Sequence, residues 1–82
     1  MKEVLMEIKI LGTGCPNCQR LEANTREAVQ RLGLEATFEK VTDPMEIVDY
    51  GIMSTPGLVV DGEVKVAGRV PDVDEIAGML GG

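Results

Sequence analysis

Residues 4 to 41 read as a strand, a long helix and a second strand, an order that sharply limits the folds open to the chain. Val4 to Leu11 alternates, with Val4, Met6, Ile8 and Ile10 on one side and Leu5, Glu7, Lys9 and Leu11 on the other. Gly12-Thr13-Gly14 then breaks the strand. The pattern predicts a helix from Pro16 to Leu32: proline is tolerated in a first turn, Leu21, Ala28 and Leu32 recur on one face, and Gly33 supplies the stop. Ala36 to Val41 is a second strand, and a helix of that length between two strands suits a right-handed parallel crossover.

The second half continues in shorter pieces. Asp43-Pro44 opens a short helix with Asp as cap and Pro at its first position, its apolar side supplied by Met45, Ile47, Val48 and Ile52, and it should stop near Gly51. Gly57 to Val60 and Glu63 to Ala67 flank Asp61-Gly62, a two-residue hairpin signal, so these strands pair antiparallel. Asp72 with Glu75 three residues later gives an acid-capped start to a last helix carrying Val73, Ile76, Ala77 and Leu80. The order βαβαββα implies an α/β fold: a four-stranded mixed sheet flanked by helices on both faces, its active loop at the C-terminal end of the first strand.

At 82 residues this is one domain, 1–82, with a single modest core. Eight basic residues stand against 14 acidic ones, a net charge of −6, and the basic residues are scattered. Nucleic acid binding needs a concentrated positive face, so nucleic acid is not an expected partner. No run reaches the roughly 18 apolar residues of a membrane span, and Met1 to Leu11 mixes charge and hydrocarbon too early for a signal peptide. The expected setting is the cytoplasm, as a monomer.

The only two cysteines, Cys15 and Cys18, fall at the junction of the first strand and first helix. A pair separated by two residues at a helix start can close a small disulfide ring, and the free N–H groups of the first turn point at the first sulfur. In a reducing cytosol such a pair is expected to cycle, to bind metal, or to remain as two thiols.

With Cys15-Pro16-Asn17-Cys18 at a helix start, Thr55-Pro56 just ahead of a hairpin, and Asp61-Gly62 at the hairpin's tip, the chain resembles the thioredoxin superfamily. Its length, the lead-in Ile10 to Cys18 and Ser54-Thr55-Pro56-Gly57 are similar to the small thioredoxin-like proteins of the redox-active disulfide protein 2 type, over about residues 6 to 80. The resemblance implies a thiol–disulfide oxidoreductase in which Cys15 attacks, Cys18 resolves, and a cis Pro56 faces them. Thr55 would then offer its backbone to an extended substrate. Its partners would be proteins carrying disulfides, together with an external reductase or low-molecular thiol as electron donor. No bound cofactor is needed.

Three departures stand out. Gly14 replaces the aromatic residue that usually precedes the first cysteine, and Pro16-Asn17 replaces Gly-Pro. The first strand lacks the buried Asp that manages the resolving cysteine's proton; Glu7 and Lys9 are the nearest ionisable candidates. The loop Gly68 to Asp72 resembles in position the glutathione-gripping segment of glutaredoxins, but no basic residue stands immediately ahead of Cys15, which favours exchange with protein dithiols.

The rival readings are a CxxC chaperone for Cu(I) or Zn, which soft thiolates would suit, and a redox-sensing adaptor. Against metal stand the absence of any His or third Cys to complete a zinc site, and an expected final helix where such chaperones end on a strand. Thr13 is a candidate hydrogen-bond donor to Cys15. Met45, Met53 and Met79 read as core filler, Tyr50 as packing at the end of the second helix, and Arg69 as a solvated charge. Arg20, Glu22, Arg26, Glu27 and Arg31 read as a solvated helix face with local ion pairs.

Overall fold

The computed structural model describes residues 6–81. Within them the elements follow the expected order: β1 (Met6–Leu11), α1 (Pro16–Leu32), β2 (Ala36–Val41), α2 (Pro44–Asp49), β3 (Gly57–Val60), β4 (Glu63–Ala67) and α3 (Val73–Gly81). The expected strand positions Val4 and Leu5 lie outside the described residues.

The strands form one sheet in the order β2-β1-β3-β4. β1 runs parallel to β2 and antiparallel to β3, and β4 returns antiparallel beside β3. At the hairpin tip Asp61 and Gly62 both adopt positive φ, 52° and 83°, the conformation that a tight two-residue turn between twisted strands requires. The tip is fastened to β1: Asp61 N–H donates to the Glu7 carbonyl at 2.7 Å, and Glu7 N–H donates to Asp61 Oδ1 at 2.9 Å. The pairing slips between Leu58 and Val59, whose partners are Val66 and Val64, so Lys65 is the extra residue of a bulge.

Alternation along β1 and β3 divides the core into two layers. On one side Ile8, Ile10, Leu58 and Val60 meet Leu21, Ala28 and Val29 of α1 and Ile76 of α3. On the other, Leu11, Val41 and Val59 meet Ile47 and Ile52 at α2. All four residues of β3 are buried. The C-terminal end of β1 therefore emerges between the two layers, at the seam where α1 begins.

Local chemistry sets the helix ends. Gly33 takes a left-handed conformation (φ 66°, ψ 28°), its N–H donating to the Gln30 carbonyl while Leu34 N–H donates to that of Val29, which satisfies carbonyls the ending helix leaves free. Asp43 caps α2 by accepting from Met45 N–H at 2.9 Å, and Asp72 caps α3 by accepting from Glu75 N–H at 2.8 Å.

The methionines overturn part of the core expectation. Met79 packs against the α1–α3 layer, but Met45 is 76% exposed, Val48 67% and Met53 fully exposed. α2 has only six residues, so one apolar side chain within it, Ile47, reaches the sheet. Met45 and Val48 are carried round to the solvent side, and Met53 stands on the following loop. Leu32 is also 39% exposed, at the end of α1 beside Gly81 of α3.

Candidate functional site

Pro16 organises the dithiol. The residue before a proline is disfavoured in helical conformation, and proline at the first helical position sacrifices no hydrogen bond. Cys15 accordingly is extended (φ −68°, ψ 164°) and acts as the N-cap of α1. Its Sγ accepts the Cys18 N–H at 3.3 Å, taking the place that a Ser or Asp oxygen has at other helix starts. Both residues are free thiols, Cys15 half-buried and Cys18 buried, with 5% of its surface exposed.

The two sulfurs occupy opposed electrostatic settings. The Cys15 thiol is held below its ordinary pKa, first by the Cys18 thiol that approaches it as a hydrogen-bond donor, then by the backbone N–H of Cys18. The Cys18 thiol is pushed up, chiefly by burial and secondarily by Cys15. One sulfur is thus prepared to ionise and the other to remain protonated.

Gly12 is the floor beneath Cys18. A methyl group built there would lie 2.2 Å from Cys18 Sγ, so only a residue without a side chain lets the sulfur rest against the end of β1. Gly12 also extends the β1–β2 ladder by donating to the Val41 carbonyl at 2.9 Å. On the opposite flank lie the exposed Thr55 and the buried Pro56, joined by a cis peptide bond. The Thr55 side chain comes within 4.0 Å of a Cβ at position 12. Cys15, Cys18, Thr55 and Pro56 therefore gather around the C-terminal end of β1. Thr13 is exposed on the neighbouring loop, while the hydrogen bond to Cys15 comes from the Cys18 backbone.

Behind Cys18 lies a small cavity of about 40 Å³ bordered by Cys18, Gln19, Glu22, Lys40 and Thr42. That is enough for a water molecule with several polar partners. Besides Cys15, the ionisable groups that meet the resolving thiol's surroundings are thus Glu22 and Lys40, which share this cavity with Cys18. Neither expected candidate borders it: Glu7 is exposed beside the hairpin tip, and Lys9 Nζ donates to Tyr50 Oη at 3.0 Å on the α2 side of the sheet. Glu22 was assigned to a solvated helix face, but its side chain is only 16% exposed and is held by Lys40 at 3.1 Å and Arg26 at 3.0 Å. Burial raises its carboxyl pKa, yet the hydrogen bonds from Lys40 and Arg26 outweigh burial and leave it below the usual range. In sequence, Lys40 lies 18 residues beyond Glu22 on an edge strand, and only the parallel crossover sets it beside α1.

Arg69 is tied to Glu75 by a two-pronged ion pair rather than standing alone. Among the described residues, no group of three or more His, Cys, Asp or Glu is arranged to hold a metal ion, and no helix is long and apolar enough to cross a membrane.

A family model described as a thioredoxin domain matches residues 6–81. The chain belongs to the thioredoxin family. It is 51% identical over 76 residues to a protein named thioredoxin from Methanothermobacter thermautotrophicus, covering 93% of this chain and 99% of that one. It is 41% identical over 76 residues to a thioredoxin from Methanocaldococcus jannaschii, covering 93% of this chain and 87% of the other. The mixed sheet with its flanking helices is the thioredoxin-like fold, and Cys15 and Cys18 are its CxxC dithiol. The protein is a thiol–disulfide oxidoreductase.

Proposed function

We propose that this chain acts in the cytoplasm as one thioredoxin-like domain, monomeric, reducing disulfides in other proteins, with Cys15 as nucleophile and Cys18 as resolving thiol. The observation that carries the reading is the asymmetry of the pair: an accessible, acidified sulfur at the cap of α1 and a buried, proton-retaining one a turn further in. Cys15 thiolate attacks one sulfur of the partner disulfide, forming a mixed disulfide and expelling the first partner thiolate. Cys18 loses its proton and attacks Cys15 Sγ. The bond to the partner breaks, the second partner thiolate leaves, and a Cys15–Cys18 disulfide remains. An external reductase or low-molecular thiol returns two electrons and two protons.

Thr55 and Pro56 form the opposing wall, where an extended partner segment would lie beside Cys15. The proton of Cys18 leaves through the cavity behind it. Glu22 is a hydrogen-bond acceptor for water there rather than a store for the proton, because thiol and carboxyl differ by about 4 pKa units even at their ordinary values, or roughly 6 kcal/mol for full transfer. The shifts of Cys18 and Glu22 widen that gap.

The test is a pair of single-cysteine variants incubated with a disulfide-linked peptide. Cys15→Ser should lose exchange, and Cys18→Ser should accumulate a mixed disulfide at Cys15 that mass spectrometry reads directly. A fully active Cys15→Ser protein would reject the assignment.

A further inference from the structure

Gly14 is a glycine for the sake of its backbone, not for room. Its φ is 90°, in the left-handed region that a side chain resists, yet a Cβ built on it would meet nothing within 4 Å. Its carbonyl accepts from Gln19 Nε2 at 3.4 Å, and that carbonyl belongs to the same planar peptide group as the Cys15 N–H. Gly14 and Gln19 both border the cavity behind Cys18, while Gly12 lies beneath Cys18 Sγ. The loop from β1 to α1 thus wraps the resolving sulfur.

The wrapping brings donors to a buried sulfur. Burial, then the Cys15 side chain, push the Cys18 thiol up, and the backbone N–H groups of Cys15 and Gly14 pull it down. The balance changes in the mixed disulfide. Once Cys15 Sγ is bonded to the partner it carries no charge, so its opposition is removed and the two N–H groups are set against burial alone. Successive backbone N–H groups gathered by a turn form an anion-binding concavity, and donors fixed in advance lower the cost of charge that develops only during reaction. The charged groups that share the cavity with Cys18 are Glu22 of α1 and Lys40 of β2, already paired with each other.

We infer that Gly14 is a positioning residue for the resolving step: its left-handed backbone aims the N–H groups of Gly14 and Cys15 at Cys18 Sγ and steadies the thiolate that attacks Cys15. The inference rests on the proposed dithiol exchange. As Cys18 gives its proton to water in the cavity, the two donors hold the charge. The Cys18 electron pair then forms the bond to Cys15 Sγ, the bond from Cys15 to the partner breaks, and the partner leaves as thiolate. An L side chain at position 14 would drive φ to negative values and turn the peptide plane carrying the Gly14 N–H. A D residue, whose preferences are mirrored, would keep it in place.

The junction of positions 14 and 15 suits chemical ligation, since a thioester of residues 1–14 joins a segment beginning at Cys15 without altering the sequence. Wild type, Gly14→Ala and Gly14→D-Ala are made this way, trapped in acid as mixed disulfides between Cys15 and a cysteine peptide, and moved to a series of pH values. Mass spectrometry reads the release of the peptide, and the midpoint of rate against pH reports the Cys18 thiol. Gly14→Ala should resolve about tenfold more slowly at neutral pH, with a midpoint about one unit higher, the scale of one weakened hydrogen bond to a charged group. Gly14→D-Ala should restore both. Alkylation of the reduced proteins should show a smaller shift at Cys15, whose leading donors are the Cys18 thiol and N–H. Should Gly14→Ala not fold, Gly14→Asn takes its place, because Asn tolerates left-handed backbone better, and its midpoint should rise by less.

A midpoint that stays put in the L variant, that rises as far in Gly14→D-Ala, or that moves equally at Cys15 would overturn the inference and leave the dithiol exchange standing. A wild-type mixed disulfide that Cys18 never resolves would instead reject the exchange reading itself.

Discussion

Gly12→Ala tests the contact on which the resolving sulfur depends. The added Cβ would stand 2.2 Å from Cys18 Sγ and 3.3 Å from Cys18 Cβ, against about 3.5–4.0 Å for ordinary carbon contacts. The sulfur must therefore retreat by more than about 1 Å. Translating α1 would disturb Leu21 and Ala28, both wholly buried; rotating Cys18 would turn its sulfur away from the space beside Cys15. Overpacking of this kind costs about 1–3 kcal/mol, and near 2 kcal/mol the melting temperature of a domain this size falls by about 8–16 °C. Urea unfolding of reduced wild type, Gly12→Ala, Cys18→Ala and the double variant gives the interaction directly. With the sulfur absent, the nearest obstacle is the Cys18 Cβ at 3.3 Å, so the penalty of Gly12→Ala should fall to less than half. The Cys15–Cys18 disulfide of Gly12→Ala should also form at a shifted thiol–disulfide ratio, by about tenfold or more, equivalent to roughly 30 mV. Equal penalties in the two backgrounds, together with an unshifted ratio, would refute the argument.

Two further outcomes concern charge. Alkylation of the reduced protein should modify Cys15 with a midpoint below the ordinary thiol value of about 8.5 and Cys18 only above it; because Cys18 is raised, the folded state holds its proton longer than the unfolded chain, so in a Cys15→Ser protein stability should fall as pH rises from about 8.5 through the folded value. A stability flat or rising across that window would contradict the burial of the Cys18 thiol. Glu22 has the opposite sign: its carboxyl is depressed in the folded protein, so its contribution is present above about pH 4.3 and is lost as pH falls through the folded value. Glu22→Gln should therefore cost about 1 kcal/mol at neutral pH, in the range of a well-paired surface ion network, and nothing at strongly acid pH, as read by urea unfolding at the two pH values.

The features legible in the sequence are those set by neighbours along the chain. Alternation put Ile8 and Ile10 on one face of β1 and Leu11 on the other, since successive side chains of a strand take opposite faces, and these faces pack into the two separate core layers. Pro16, Gly33, Asp43, Asp61-Gly62 and Asp72 marked their element ends because caps and tight turns are satisfied within a few residues. For the same reason Cys15 and Cys18 could be assigned to a helix start.

What tertiary structure alone decided are the meetings between distant segments. Apolar composition marked Met45, Val48 and Met53 as core, yet a helix of six residues offers the sheet only one narrow side, and the other side chains go to solvent. Glu22 read as part of a solvated helix face until the crossover brought Lys40 of β2 alongside α1 and set both residues at the cavity behind Cys18. The need for glycine at position 12 likewise comes from a sulfur six residues away, lowered onto the strand end by the docking of α1. Local preference acts over one turn or one pleat, whereas the surroundings of the reactive sulfur depend on which surfaces the sheet and helices bury together.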